Sequence, residues 1–526
     1  MPRLTGGEAV VAQLEREGVD VVFGMPGVHT LDIYDALADS SVEHVTTRHE
    51  QGAGFMADGY ARTTGRVGVA LVITGPGLTN AATPIGQAYS DSTPLLVISS
   101  QNETNEADRG KGYLHELKDQ QGVMESIAAY SETVERVTDV PAALAEAFTY
   151  LDTHRPRPVH LQIPTDVLAR EETVALADRD RDADLSPDEE RLDAAVDLLA
   201  DSWRPLLVVG GGASGAAAEA RQLVEETGMP VVSTVAGKGV VPEDHPLSLG
   251  ATLGDESVAD FVASRDFVLA VGTELAPREF DAVDLPETLV QIDLDYTNFG
   301  RTFPTELGIV ADAATALRAL ADRAAERGLQ SGHARDTVAD LRSTAAADDR
   351  DDRHRIIDAL REALDDDAVV VNDMTKLCYE AMSELPVSEP DTFLFPRGYG
   401  TLGFSPPTAY GAAVGDSDRQ VVALVGDGGF LFTVQDLATA VKYDLGVPVV
   451  VLNDDRYGVV DDVQLRDYGR TIGTDIENPD FVALAQAFGA AAERVDVDEV
   501  ETALPAALQD AFARDRPTVV EIPVDF

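Results

Sequence analysis

The chemistry most easily built from this chain starts with two acidic positions. In VVALVGDGGFLFTVQDLATAVKYDLGVPVVVLNDDRYG, Asp427 directly follows one apolar run, and Asn453 and Asp454 follow the next, with a helical pattern between. Asp427 and Asp454 are 27 positions apart, the length of one strand-helix-strand crossover, so both carboxylates are expected at one sheet edge. Ligands of open α/β sheets collect at the carboxyl ends of the strands. Hard oxygen donors there, beside Gly426, Gly428 and Gly429 with their open backbone N–H groups, suit a Mg²⁺ ion bridging a diphosphate. A GDGG turn alone is equally a surface turn of an acidic protein; the spacing to LNDD argues for a site. A third carboxylate, Glu50 in EHVTTRHEQGAGFMADGYAR, stands after a strand-like run at the start of a Gly/Ala-rich helix. In isolation it reads as a first-turn carboxylate favoured by the helix dipole.

The elements that must position these groups alternate along the whole chain. Apolar runs at 19–25, 66–73, 94–100 and 157–163 are separated by helical patterns, which is the mark of parallel α/β units. A charged stretch, REETVALADRDRDADLSPDEE, interrupts the pattern and reads as a linker. A second block carries runs at 204–214, 229–239, 265–275 and 287–295, and a second charged break follows at 345–353. The third block carries 368–374, 420–429, 446–455 and 517–524. The expected fold class is therefore α/β, with three domains that each have a central parallel sheet flanked by helices. Their expected spans are 1–170, 191–345 and 346–526, with the linker at 171–190. Glycine turns after buried strands in both the first and third blocks (ITGPG, LVGDGG) hint at a distant internal duplication.

Composition narrows the class. The chain has 526 residues, 40 Lys plus Arg against 93 Asp plus Glu, and a net charge of −53. With 44% hydrophobic residues it holds enough apolar mass for several cores, so it is not a disordered acidic tail. Only five residues are Lys, and Asp outnumbers Glu 58 to 35. Such a surface fits concentrated salt, where a Debye length of about 3 Å at about 1 M quenches self-repulsion. The acid is spread over most of the chain, which argues for a halophile rather than a basic ligand. Nucleic-acid binding is excluded for want of a basic face. Cys378 is the only cysteine, no apolar run approaches a membrane span, and the first residues lack a signal peptide's apolar core. The expectation is a soluble cytoplasmic enzyme.

GDG followed by Asn453–Asp454, with Asp454 27 positions after Asp427, resembles the thiamine-diphosphate enzymes, whose signature is GDG, some two dozen residues and an Asn pair; here Asp454 takes the place of the commoner Asn. The resemblance implies metal ligation by Asp427, Asp454 and the backbone carbonyl of Arg456. It also implies a carboxylate against N1′ of the aminopyrimidine, favouring the imino tautomer that generates the C2 ylide, and Glu50 fills that position. GMPG, with Pro26 and Gly27, and TGPGLTN, with Thr74 and Asn80, resemble the cofactor loops of the pyrimidine-binding domain. RGYGTLGFSPPTAYGAA resembles the segment that bends the cofactor: Gly400 would offer its carbonyl to N4′ and Leu402 would wedge between the rings. The family's domain order implies a pyrimidine-binding domain, a middle domain and a diphosphate-binding domain. It further implies a homodimer or homotetramer with active sites between subunits.

Substrate-side segments discriminate within the family. Acetolactate synthases carry an FQE segment, a later Lys and a Trp after the metal loop, whereas this chain has YLHELKDQ, AAYSETV and VVDDVQLRDYG, and its one Trp is Trp203. Middle-domain segments ATLGDES and GTELAPREF leave FAD doubtful, the GGG at 210–212 being a weak match. PGVHT, GYLHEL, RPRPVHLQIPTDV and DIENPDFVALAQAFG look like 5-guanidino-2-oxopentanoate decarboxylase. That likeness implies decarboxylation of a 2-oxo acid through an enamine that is protonated to an aldehyde. His29 and His115 would relay the proton, and Glu116, Asp461 and Asp462 are candidates for a guanidinium. Carboligation, as in acetolactate synthase large subunits, is the alternative. A catalytically silent regulatory paralogue would have lost Glu50.

Overall fold

Every one of the twelve apolar runs becomes a parallel strand in the computed structural model, which describes residues 1–179, 185–330, 334–345 and 350–526. The first sheet contains β1 (Val21–Gly24), β2 (Glu43–Thr46), β3 (Gly68–Val72), β4 (Leu95–Gln101), β5 (Tyr130–Thr133) and β6 (Val159–Pro164), in the order β2-β1-β3-β4-β6-β5. The second contains β7 (Pro205–Val209), β8 (Val231–Ser233), β9 (Phe267–Val271), β10 (Leu289–Asp293) and β11 (Leu307–Val310), ordered β8-β7-β9-β10-β11. The third contains β12 (Val369–Asn372), β13 (Phe393–Leu394), β14 (Val421–Gly426), β15 (Pro448–Asn453), β16 (Ala491–Arg494) and β17 (Thr518–Pro523), ordered β13-β12-β14-β15-β17-β16. Numbered within each block, the first and third sheets have the same strand order, and all their pairings are parallel. The glycine-turn correspondence between ITGPG and LVGDGG thus sits on equivalent strands, β3 and β14, in two sheets of one topology.

The central strands are buried along nearly their whole length, which explains their continuous apolar character: a parallel strand covered by helices on both faces has no solvent side to make polar. Five helices position the candidate site: α1 (Glu50–Thr64), α2 (Lys376–Glu384), α3 (Ser405–Gly415), α4 (Asp427–Thr433) and α5 (Gly458–Tyr468). The α1 helix starts where the His49 side chain accepts from Gln51 N–H and stops at Gly65, whose φ of 67° ends the helix in the left-handed region. Its buried face crosses α3 at backbone distance. A Cβ on Gly59 would overlap the Thr408 carbonyl, and one on Gly411 would overlap that of Met56. One apolar core consequently runs through both sheets, with Phe55 edge-on to Phe404 at 5.5 Å. Gly52 and Gly54, small enough on sequence grounds for close backbone approach, meet the Asp436 carboxylate and Pro84. The smallness of Gly52 serves packing between the first and third blocks, and that of Gly54 packing within the first.

The charged stretch after 170 is not free throughout. Glu171–Thr173 pairs antiparallel with Arg3–Thr5, Val174 is buried, and Ala177 exchanges hydrogen bonds with Gln13. Residues 180–184 of this stretch and 346–349 of the second break lie outside the described residues.

Candidate active site

The β14–β15 register pairs Gly426 with Leu452, so Asp427 and Asn453 leave neighbouring strand ends side by side. Asp427 opens α4, is 2% exposed, and accepts from Gly428 N–H at 2.8 Å. Its second oxygen accepts from Asn478 Nδ2 at 2.7 Å, and the same amide reaches Asn453 Oδ1 and Asp455 Oδ1. Asp454 stands close enough for the two carboxylates to repel. Burial first, then the charge of Asp427, push its carboxyl up to about 6 against the pull of Arg456 and Lys376. Arg456 is anchored by its guanidinium to the Asp454 carbonyl at 3.1 Å and to Asp525 at 2.8 Å. Among the described residues no group of three or more His, Cys, Asp or Glu side chains is arranged to hold a metal ion by itself. The two neighbouring carboxylates are hard oxygen donors of the kind that suits a divalent cation sharing a phosphate.

The loop after β12 builds the other wall. Asp373, fully buried, accepts from the N–H groups of Met374, Gly403 and Ser405 and thereby holds the 400–405 loop against the sheet. Gly400 has φ of 77°, a conformation that side chains rarely adopt. The half-buried Leu402 follows it, and Thr401 hydrogen-bonds through its hydroxyl to Gln87 from the first block.

Glu50 opens α1 at the carboxyl end of the first sheet, 8% exposed. Asn80 Nδ2 donates to its Oε2 at 2.9 Å, and a Cβ on Gly77 would stand 3.1 Å from its Oε1. The missing side chain at Gly77 therefore leaves one carboxylate oxygen open to a ligand. Gly27 N–H donates to Thr30 Oγ1 at 3.1 Å and Pro26 is exposed beside it. Thr74 is buried, donating to Gln120 Oε1 at 2.6 Å, and the same oxygen accepts from Gly75 N–H at 3.0 Å. Gln120 thus locks the TGPG loop. His29 and His115 face each other with ring centroids 5.3 Å apart, and the Nδ1 of each is buried without a protein partner. Burial, with a smaller contribution from the other ring, lowers the pKa of His29. His115 is carried at φ of 61° against Gly75, which places it over the same loop.

The three guanidinium candidates are engaged. Glu116 accepts from the N–H groups of Gly110, Lys111, Gly112 and Tyr113, so it organises its own loop. Asp461, 7% exposed, accepts from Thr474 Oγ1 at 2.6 Å. Asp462 pairs with Lys376 at 2.8 Å. Sequence reasoning passed over Gln120, Asp373 and Asn478. All three are polar residues acting through tertiary contacts; each lay in a stretch already quoted, Gln120 at the end of YLHELKDQ, Asp373 in the 368–374 run and Asn478 in DIENPDF, without being singled out itself.

A cavity of about 350 Å³ lies elsewhere, at the carboxyl ends of the second sheet and bordered by Gly210–Gly212, Gly272 and Asp293. Two of its basic residues, Arg155 and Arg278, are both paired with Glu274. No helix of the described residues is long and apolar enough to cross a membrane.

Comparison with known proteins matches this layout. The N-terminal TPP binding domain of thiamine pyrophosphate enzymes matches residues 4–123, the central domain 192–320 and the C-terminal TPP binding domain 373–522. A Pseudomonas aeruginosa protein described as "Probable 2-ketoarginine decarboxylase AruI" is 42% identical, over 99% of this chain and 94% of its own length. The acetolactate synthase large subunit of Corynebacterium glutamicum is 33% identical over 99% of this chain and 86% of its own. The isozyme 1 large subunit of Escherichia coli acetolactate synthase is 30% identical over 99% and 94%. The paired β14–β15 strand ends, the Glu50 cradle and these three matched domains lead to one conclusion: the chain belongs to the thiamine pyrophosphate enzymes, as a thiamine-diphosphate-dependent 2-oxo acid decarboxylase or carboligase.

Proposed function

We propose that this enzyme decarboxylates a 2-oxo acid bearing a guanidinium side chain, of the 5-guanidino-2-oxopentanoate type, and releases an aldehyde. The observation that carries the protonating outcome is the His29–His115 pair, two half-buried rings with unpartnered Nδ1 atoms over the Gly75 loop. The relative described as a 2-ketoarginine decarboxylase supports the substrate class.

When bound, thiamine diphosphate supplies a nucleophilic carbon and an electron sink for the departing carboxylate. The chain's own residues do the rest. Glu50, oriented by Asn80, would share a proton with the aminopyrimidine through its open oxygen. Asp427, Asp454 and the Arg456 carbonyl would hold Mg²⁺, while Asn478 fixes the Asp427 oxygen that does not face Gly428. Asp373 orients the Gly400–Leu402 loop that would support the bound cofactor. With its pKa lowered, His29 is neutral near pH 7 and able to accept a proton from His115 or water. Of the acidic candidates, Asp461 remains the best placed for the guanidinium, because Glu116 is tied to four backbone N–H groups and Asp462 to Lys376.

Oligomerisation completes the site in this reading. Among the described residues no hydrogen bond or ion pair joins Glu50 to the Asp427–Asp454 pair. Large apolar side chains stand exposed on the surface of both blocks: Val28 and Leu114 in the first, Tyr399, Phe432, Val460, Tyr468 and Ile472 in the third. A second copy covering these patches would set Glu50 of one subunit against the diphosphate site of the other.

Acetolactate synthase activity is the second reading, favoured by relatives at 33% and 30% identity. Incubation in about 3 M KCl, a choice that follows from the acidic surface, with thiamine diphosphate and Mg²⁺ separates the two. 4-Guanidinobutanal from 5-guanidino-2-oxopentanoate, identified by mass, supports the proposal. Acetolactate from pyruvate would replace it with the second reading.

A further inference from the structure

Central strands of a parallel sheet are covered on both faces and are expected to be apolar throughout. The carboxyl-terminal parts of β4 and β6 depart from this: Ser99, Ser100 and Gln101 on the one and His160 and Gln162 on the other are all buried. Burial pushes the His160 imidazole down to about 3, so it is neutral, and its Nε2 and Nδ1 meet Ser99 Oγ at 2.8 Å and Ser131 Oγ at 2.7 Å. The side chain that gathers this uncharged network is Gln120, 1% exposed. Its Nε2 donates to the Ser100 carbonyl at 3.0 Å and to Gln162 Oε1 at 2.9 Å, while its Oε1 accepts from Thr74 Oγ1 and Gly75 N–H. Both donors and both acceptor positions of the amide are thereby used. Turning the amide over would set N–H against N–H at Gly75 and oxygen against oxygen at Ser100, so the network fixes its orientation. Satisfied buried amides add little net stability over apolar side chains of the same shape, and stability alone does not call for a polar network here.

The segment that Gln120 holds touches both halves of the proposed chemistry. A Cβ on Gly75, whose φ is 67°, would lie 2.3 Å from the His115 carbonyl oxygen and 2.9 Å from the His115 Cβ. Two residues on, Gly77 stands against Glu50 Oε1, and Asn80 donates to Glu50 Oε2. His115 is itself in the left-handed region at φ of 61°, a conformation that persists only where neighbours impose it. Gly75 is one such neighbour. Asn102 is another, donating from Nδ2 to the Leu114 carbonyl at 2.9 Å. We propose that Gln120 is a positioning residue for both Glu50 and His115, acting through the 74–80 segment. This rests on reading Glu50 as the group that faces the cofactor and His115 as part of the proton-delivering pair. Asn102 reaches His115 alone, so loss of the two amides has different consequences.

Two rates separate the halves: exchange of the C2 proton of bound thiamine diphosphate without substrate, which reports Glu50, and aldehyde release from 5-guanidino-2-oxopentanoate, which reports His115. Both are measured at saturating cofactor, on protein shown by thermal melts to be folded. Gln120→Met, close to Gln in volume, is expected to slow exchange about tenfold and aldehyde release about 10²-fold, the size of effect that a displacement of about 1 Å produces. Asn102→Leu is expected to slow aldehyde release about tenfold, with exchange within about twofold of wild type. In apoenzyme carrying ¹³C at the histidine Cε1, the NMR signal of His115, assigned by its loss in His115→Gln, moves in both variants. Should Gln120→Met not fold, Gln162→Met, which removes the acceptor of one Gln120 N–H and lies outside the 74–80 segment, is expected to slow both rates about threefold. Wild-type rates in folded Gln120→Met, exchange unchanged while aldehyde release falls, or an unmoved His115 signal overturns the proposal. Aldehyde release as fast in His115→Gln as in wild type overturns the underlying proton-delivery reading instead, and is distinguished because exchange in Gln120→Met still falls.

Discussion

At the scale of single residues, three carboxylates among 93 were distinguishable in the sequence, and the reason is positional. Asp427 and Asp454 follow strands that must be neighbours, and the β14–β15 register places their backbones accordingly. What the sequence hides is the set of polar residues that act on those groups from a distance in the chain. Asn478 reaches Asp427 across 51 positions, and Gln120 reaches Thr74 across 46. A lone amide carries no local pattern, so only the folded contacts reveal it. Two expectations follow. If Asp427 is a ligand of the proposed cation site, replacing it by Asn should raise the Mg²⁺ concentration for half-maximal cofactor binding at least about tenfold, read by calorimetry. His115→Gln removes one ring of the pair while keeping a polar side chain. If the pair delivers the proton, turnover to aldehyde falls about 10²-fold while cofactor affinity is unchanged; a drop in both equally assigns His115 to binding instead.

At the scale of elements, the strands read from the sequence are the interior ones and one edge strand, β8. Those it missed, β2, β5, β11, β13 and β16, are all edge strands. Most are half-exposed: β16 has no fully buried residue, and β2, β5 and β11 have one each, so their apolar pattern is diluted by solvent-facing positions. The α1–α3 crossing was also not legible, since a glycine in a helix does not announce which backbone it lets in. That crossing carries a pH signal. Asp436, packed under Gly52 and reached among the described residues only by the Arg48 N–H at 3.3 Å, has its carboxyl pushed up to about 7 by burial. An acid whose folded pKa exceeds its unfolded value, about 3.9, holds its proton longer when folded, so its contribution is fullest below about pH 4 and is lost as pH rises to 7. Denaturant unfolding of Asp436→Asn should therefore show a gain over wild type of up to about 4 kcal/mol at pH 8 relative to pH 4. A difference that does not vary with pH would mean that Asp436 does not titrate in this interval. Arg62 closes the same region, buried between Asp58 at 2.6 Å and Asp91 at 3.0 Å. Arg62→Ala leaves two inward carboxylates unpaired and should cost about 3–5 kcal/mol in the same assay.

At the scale of the whole molecule, the three-sheet plan and its repeated topology explain why the site lies where it does: Asp427 and Glu50 each sit at a strand's carboxyl end in sheets of one design. The net charge of −53 plays no part in that placement and belongs to the surface. It predicts that the melting temperature rises steadily with KCl up to molar concentrations, as screening removes self-repulsion. The central claim, that Glu50 activates the cofactor in a site completed by a second subunit, is tested most directly by the exchange rate of the C2 proton of bound thiamine diphosphate, followed by quenched-flow NMR. Wild-type enzyme should exchange this proton far faster than free cofactor, and Glu50→Gln should slow it by about 10²–10⁴-fold while still binding the cofactor. Exchange in Glu50→Gln as fast as in wild type would contradict the account.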